Sequence, residues 1–389
     1  MKYDLRGVSA DKSEVHEAIK GLDKGIFPNA FCKVLPDFAA FDSDYCTLMH
    51  ADTAGTKTSL AYLCYRETGN LDIWRGIVQD ALVMNIDDLA CVGLVDDLIV
   101  SSTIGRNKRV IDGNVLKALI QGTKQFADKM LEYGVKLHLA GGETADVGDI
   151  VRTLDVGFTV FGRMKRSEVL ENNIQAGDVI VGLASYGQAT YEDTYNSGIG
   201  SNGLTSARHD TLRKQYGTDF PESYDTAMPD EVAFTGQRSF GDTVVFDTKN
   251  YLVSDLLLSP TRTYLPVLKQ LFATLGTPKM HGIIHCSGGG QTKVEKFIDN
   301  DIHIIKDNLL PVPPVFRLIQ QESNTAWREM YKVFNMGHRL EVYLSEKDAQ
   351  TVLDIAKSFH IDAQIVGKVV SSVSKKITLK SDYGEFIYE

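Results

Sequence analysis

From Trp74 to Val92 the apolar residues Trp74, Ile77, Val78, Ala81, Leu82, Ile86 and Leu89 recur at helical spacing. The pattern predicts an amphipathic helix that covers a hydrophobic surface with one face and leaves its carboxylates on the other. Asp80 and Asp87 stand two turns apart, at roughly 3.6 residues per turn, so they project from nearly the same side, with Asp88 beside them. Residues 45–51, YCTLMHA, read as a short strand that delivers Asp52 into a Gly-containing loop, and residues 58–65 return to a helical pattern. A second long helix is predicted over 115–133, a buried strand over 135–141 (VKLHLAG) running into Gly141-Gly142-Glu143-Thr144, and a further strand over 153–162.

The stretch 163–177 is charged and weakly patterned, and a new apolar strand, VIVGLA, follows it, which places a domain boundary near residue 170. The expected domains are 1–170 and 171–389, and a chain of 389 residues with 43% hydrophobic content can bury a core in each. In the second half a helix is expected over 261–275, then the turn-rich Ser287-Gly288-Gly289-Gly290, a Pro-punctuated run at 311–314 and a strand over 338–344. Residues 187–250 show no clear periodicity.

Charge narrows the function classes. With 41 Lys+Arg against 51 Asp+Glu, the net charge of -10 repels polyanions, so nucleic acid is not an expected partner. Small phosphorylated ligands stay compatible, because a local Lys, a metal ion or backbone N–H groups bind phosphate against an unfavourable overall field. Cys32, Cys46, Cys64, Cys91 and Cys286 are odd in number, lack C-x-x-C spacing and have no His at zinc-ligand distance in the sequence, and so read as buried, reduced thiols. The N-terminal residues lack a signal-peptide core, and no stretch approaches the roughly 18 apolar residues a membrane span needs. The expectation is a cytoplasmic protein with no membrane partner.

Chemistry is suggested by acidic residues beside glycines and at strand ends. Asp52-Thr53-Ala54-Gly55-Thr56-Lys57 resembles half of a phosphate loop without the GxxxxGK[ST] spacing. Asp52, the Asp80/Asp87/Asp88 group and Glu143 are separated acidic points, and Mg²⁺ is typically held by a few carboxylates together with nucleotide phosphates. Taken singly, each reads better as a solvated acidic residue on a helix face or turn; it is their recurrence that points to a shared site. Gly288-Gly289-Gly290 lets backbone approach an anion or is a flexible turn; His285, just before it, is a candidate proton carrier or a packed histidine. Ser201-Asn202-Gly203 by itself is a turn signal.

In order along the chain, DTAGTK (52–57), DALVMNIDDLACVG (80–93), GGETAD (141–146), GDVIVGLAS (177–185), SNG (201–203), SPTRTYLPVL (259–268), HCSGGG (285–290) and PPVFRLIQQESN…EMYKVFNMG (313–337) resemble the aminoimidazole ribonucleotide synthetase, or phosphoribosylformylglycinamidine cyclo-ligase, family. The Asp-GTK, GGET and Gly-rich elements also resemble a wider ATP-using superfamily that includes selenophosphate synthetase, thiamine-monophosphate kinase and a hydrogenase-maturation protein. The resemblance implies a two-domain α/β (α+β) protein: a homodimer whose N-terminal mixed sheets, with their helices, pair across the subunits, and a C-terminal α/β sandwich domain. It implies ATP and Mg²⁺ as cofactors and ring closure of formylglycinamidine ribonucleotide through phosphate activation of its formyl amide oxygen. By motif match, Asp52, Asp80, Asp88 and Glu143 would be metal ligands. Lys57, Gly55, Thr56, Gly141, Gly142, Asn202, Gly288, Gly289 and Gly290 would bind ATP or phosphate, and His285, Lys57 and Asp88 would be catalytic. Two other readings are another ATP-dependent amide-activating or phosphotransfer enzyme of the superfamily, and a non-catalytic nucleotide-binding relative. The chain departs from the family at three places: residues 26–44 contain no glycine where the family has a glycine-rich segment, Gly200 precedes SNG where His is usual, and Asp87 stands where Asn is usual.

Overall fold

In the computed structural model, which describes residues 2–8 and 13–389, the alternating strands and helices build two mixed sheets. Short helices α1 (Lys2–Leu5) and α2 (Ser13–Ala18) precede β1 (Val34–Pro36) and β2 (Tyr45–Thr53). Then come α3 (Lys57–Thr68), α4 (Ile73–Ala90), β3 (Leu98–Arg106), α5 (Gly113–Glu132), β4 (Leu137–Asp146) and β5 (Leu154–Lys165). The first sheet has the order β1-β2-β5-β3-β4 and is antiparallel except between β3 and β4, where α5 is the crossover that a parallel pair requires.

The mixed α/β architecture that the resemblance implies is the one adopted, with two local corrections. Helix α4 is not amphipathic in the predicted sense: Asp80, Asn85 and Asp87 are buried along with the apolar side chains. One side lies on β2, β5 and α5, and the other is covered by a segment some 180 residues downstream in the chain. Strand β4, expected to be buried, is instead the exposed edge; apart from half-buried Leu137 and Ala145, every residue faces solvent. Its one ladder among the described residues is with β3, so the backbone groups along its other edge have no partner strand there.

The second sheet begins with β6 (Asp178–Ala184). The unpatterned region then folds as loops carrying α6 (Leu204–Thr211) and α7 (Gln215–Asp219), and ends in a hairpin of β7 (Thr243–Phe246) and β8 (Lys249–Leu252). Helices α8 (Val253–Leu258) and α9 (Leu265–Leu275) follow; residues 261–264, expected to be helical, are used elsewhere. The remaining elements are β9 (Met280–His285), β10 (Ile302–Lys306), α10 (Pro314–Ser323), α11 (Trp327–Val333), β11 (His338–Ser345), α12 (Glu346–Ser358), β12 (Ala363–Ser371), β13 (Lys376–Ser381) and β14 (Gly384–Tyr388). The sheet order is β14-β13-β10-β12-β6-β11-β9. Among the described residues no helix is long and apolar enough to cross a membrane.

Candidate active site

The two buried carboxylates of α4 grip one short segment from the second half. Asp80 Oδ1 accepts from Lys57 Nζ (2.7 Å), Thr261 N (2.8 Å) and Thr261 Oγ1 (2.5 Å). Two turns on, Asp87 accepts from Thr263 Oγ1 (2.6 Å) and from Tyr264 N (2.9 Å). Between these anchors Arg262 turns the other way, donating to the Glu192 carboxylate (2.5 and 2.9 Å) and to the carbonyls of Ala184 and Tyr186. This lock is why 261–264 leaves the helical path. Burial raises the pKa of Asp87 against the opposing pull of His285, Thr263 and Arg339, and burial lowers that of Lys57 against the charge of Asp80.

Two expectations are corrected here. Lys57 is not free to reach out to a phosphate and Asp80 is not a solvent-facing carboxylate; the two partner each other in an interior with no solvent contact, with Asp80 Oδ2 left without a hydrogen-bond partner. A buried ammonium is tolerated only beside a carboxylate, and this one has found it. Nor can Asp80 and Asp88 share an ion: eight residues of helix separate them by roughly 12 Å along the axis, whereas two oxygens on one Mg²⁺ lie within about 4.2 Å.

Asp52, Gly55 and Thr56 do meet, where the end of β2 passes into the start of α3. Asp52 is exposed and takes the Thr53 N–H (2.7 Å), and Gly55 turns the chain at φ +58°. The positive end of the α3 dipole lies at this turn. Thr56 Oγ1 meets Thr205 Oγ1 at 2.5 Å, next to the turn that carries Asn202, and a Cβ on Gly288 would lie 3.5 Å from Asn202 Nδ2. The turn after β2, the SNG turn and the Gly288 loop are therefore neighbours.

Other expected residues stand apart. The register Asp52–Phe158–Ser102–Gly142 crosses β2, β5, β3 and β4. That puts exposed Glu143 three strand spacings from Asp52, roughly 14 Å. A single chain thus does not gather Asp52, Asp80, Asp88 and Glu143 around one ion. Gly141 and Gly142 have a local reason: they sit at the register shift between β3 and β4, where a Cβ on Gly142 would be 2.1 Å from Ser102 O. Gly290 is likewise required by packing, since its Cβ would be 2.5 Å from Phe334 O.

His285, expected to be a proton carrier, is fully buried with both ring nitrogens engaged. Nδ1 is 2.6 Å from Asp88 Oδ1, and Nε2 accepts from Arg339 Nε at 3.1 Å. A guanidinium only donates, so the ring proton is on Nδ1 and is given to Asp88. In this arrangement His285 positions Asp88.

Sequence reading passed over Arg339. It is 1% exposed, also donates to the carbonyl of Arg262, and its Nη1 has no hydrogen-bond partner. That nitrogen faces a small cavity lined by Gly200, Asn202, Ser287 and Asn335, and a Cβ on Gly200 would lie 3.8 Å from it. The guanidinium therefore occupies the neighbourhood left open by the glycine before SNG. The available signal was an arginine within the strand expected over 338–344, a position where a charged side chain demands a purpose once the strand is covered.

Comparison with known proteins fits this organisation. The model of the AIR synthase related protein N-terminal domain matches residues 32–164, and that of the C-terminal domain matches residues 175–380. The chain is 32% identical over 337 residues to the phosphoribosylformylglycinamidine cyclo-ligase of Methanocaldococcus jannaschii, covering 85% of this chain and 80% of that protein. It is 28% identical over 368 residues to the protein of the same name from Methanococcus maripaludis strain C5, covering 93% and 86%. Among solved structures, one chain of a HypE–HypF complex superposes with a TM-score of 0.58 at 16% identity, covering 97% of this chain and 99% of that one. T. maritima PurL complexed with FGAR gives 0.54 at 14% identity, covering 95% and 47%. These structural likenesses concern the fold, while the two domain matches between them span the first sheet and all but the last strand of the second: the chain belongs to the AIR synthase related protein family.

Proposed function

We propose that the chain is an ATP-dependent phosphoribosylformylglycinamidine cyclo-ligase of purine biosynthesis, acting in the cytoplasm, with residues 1–170 serving ATP and the dimer and residues 171–389 the substrate. The observation that carries this reading is that relatives bearing that name align across both halves, including the Thr261–Tyr264 segment that α4 grips. In the reaction the γ-phosphoryl of ATP passes to the formyl amide oxygen of formylglycinamidine ribonucleotide, releasing ADP. The amidine nitrogen then forms a bond to the former formyl carbon, the carbon–oxygen bond breaks, and phosphate leaves with that oxygen. Amide oxygen is a poor leaving group and phosphate a good one, so the protein's task is positioning and charge neutralisation.

The chain's residues divide that task. Thr56, behind the Gly55 turn at the start of α3, offers its backbone N–H to the polyphosphate, whereas the Gly55 N–H is given to Thr53 Oγ1 (3.1 Å). Asn202, the Gly288 loop and Arg339 Nη1 face the substrate side, and His285 holds Asp88 in place. Asp52 and Glu143 are the exposed carboxylates of the expected metal set, and hard oxygen donors of this kind suit Mg²⁺, which would neutralise phosphate charge. The distance between them favours a homodimer, each site taking Asp52 from one copy and Glu143 from the other. A row of side chains across the open face of the first sheet, Met49–Phe161–Ile99–His138, supports this, with Met49 63% and Ile99 44% exposed. Incubating the pure protein with formylglycinamidine ribonucleotide, ATP and Mg²⁺ should yield ADP and aminoimidazole ribonucleotide; folded protein that gives neither would refute the reading.

A further inference from the structure

We infer that Cys32, His50 and Asp88 form a binding site for one divalent transition-metal ion of the zinc class. The Cys32 sulfur, a His50 ring nitrogen and an Asp88 carboxylate oxygen all lie within 4.8 Å of one another. His50 Nε2 and Asp88 Oδ2 are 3.5 Å apart. Two such atoms bound tetrahedrally at about 2.1 Å from one ion would be about 3.4 Å apart.

Their meeting follows from strand register. β1 pairs antiparallel with β2, Val34 opposite Leu48 and Pro36 opposite Cys46. Continuing that register two residues back from Val34 sets Cys32 opposite His50, although 18 positions separate them in sequence. Helix α4, packed on β2, brings Asp88 alongside. The expectation that no cysteine has a histidine at ligand distance is thereby corrected: sequence spacing did not reveal a cross-strand pair.

The surrounding contacts leave one lone pair of each side chain free for a common point. Asn85 is fully buried and donates Nδ2 to Ala81 O (2.9 Å) and Asp52 O (3.3 Å), so its Oδ1, 2.9 Å from His50 Nδ1, accepts the ring proton. That fixes Nε2 as the unprotonated nitrogen. Asp88 Oδ1 is held by His285, which leaves Oδ2. Such outer partners orient ligands in metal sites. A sulfur, an imidazole and a single carboxylate favour zinc-like ions over Mg²⁺, and three protein ligands leave a fourth position open. Binding forms a metal–sulfur bond, breaks the S–H bond and releases that proton to solvent.

The inference does not rest on the cyclo-ligase reading, because its test needs no turnover. Full-length protein treated with a chelator and titrated with Co²⁺ should take up one equivalent and develop visible bands of tetrahedral intensity together with a near-ultraviolet thiolate-to-cobalt band. Zn²⁺ should abolish the spectrum stoichiometrically, and millimolar Mg²⁺ should not. Cys32→Ser should remove the thiolate band, His50→Ala should weaken binding, and Asn85→Ala should weaken it about 10- to 100-fold, with folding verified by circular dichroism. Absence of a thiolate band in the unaltered protein, or Co²⁺ affinity unchanged in both Cys32→Ser and His50→Ala, would overturn the site and leave a plain His–Asp pair beside a thiol.

Discussion

Lys57 and Asp80 form an ion pair with no solvent contact on either side, and the Asp80 oxygen that holds Lys57 also holds the backbone and hydroxyl of Thr261. One carboxylate thus joins α3, α4 and the segment that leads into α9.

Removing the carboxylate should strand a buried charge. Asp80→Ala is expected to lower stability by about 3–5 kcal/mol, and adding Lys57→Met should recover most of the loss, because the uncompensated ammonium then disappears. Urea unfolding of the two variants checks this. Unchanged stability in Asp80→Ala would show that the pair is not the lock described above.

Asp52 should behave oppositely. It is exposed and its side chain holds only the neighbouring Thr53 N–H, so Asp52→Asn is expected to stay within about 0.5 kcal/mol of the parent in stability. If it is a metal ligand, ADP formation should fall about 100-fold, with a higher Mg²⁺ requirement. Paired thermal melts and ADP assays across a Mg²⁺ series separate the two effects.

These contrasts mark what a single sequence can and cannot disclose. The strand at 45–53 was legible as a short, mostly apolar run, and the helix at 73–90 and the late strand at 338–345 because their apolar residues repeat with the period of the element. Periodicity reports which face is apolar, however, and not what covers the other face. Asp80 and Asp87 therefore read as solvated, although Thr261, Thr263 and Tyr264 bury them. Strand β4 erred the other way: VKLHLAG carries the composition of a covered strand, and the chain itself provides no cover. Cys32 and His50 escaped notice because antiparallel register, not spacing, makes them neighbours.

Gly200 tests the cavity beside Arg339. A Cβ there meets only ordinary contact, so Gly200→Ala should fold and bind substrate as the parent does. Gly200→Leu should fill the space before Arg339 Nη1 and raise KM for formylglycinamidine ribonucleotide by about 10-fold or more, the factor that 1.4 kcal/mol supplies. Steady-state kinetics with melting curves check it, and an unaltered KM in the leucine variant would remove Arg339 Nη1 from the substrate site.

His209 sets a pH dependence of stability. It is buried against the rings of Tyr224 and Phe234, its Nδ1 accepts the Phe234 N–H, and burial, reinforced by the charge of Arg208, pushes its pKa down to about 2. The unfolded chain binds this proton near pH 6.5 and the folded chain does not, so stability should be intact above that pH and should fall as pH drops below it. At pH 5.5 the deficit from this group is about 1.4 kcal/mol. Urea midpoints at pH 7.5 and 5.5 should differ less in His209→Phe than in the parent by that amount.

The dimer prediction joins the geometry of the first sheet to catalysis. Ile99 lies in the exposed row of that sheet and contributes little to the core of its own chain, so Ile99→Glu should fold but dissociate the dimer. Light scattering should then give 43.0 kDa in place of twice that mass. If Glu143 serves the site built on Asp52 of a second copy, Asp52→Asn and Glu143→Gln proteins should each be nearly inactive alone. Mixed in equal amounts and allowed to exchange, half of the dimers are hybrids, and each hybrid has one intact site of two, so about a quarter of the parent activity should return. No recovery from a mixture whose exchange has been verified would mean that Glu143 acts within its own subunit or not at all, and the roughly 14 Å that separates it from Asp52 along the sheet then argues for the second of these.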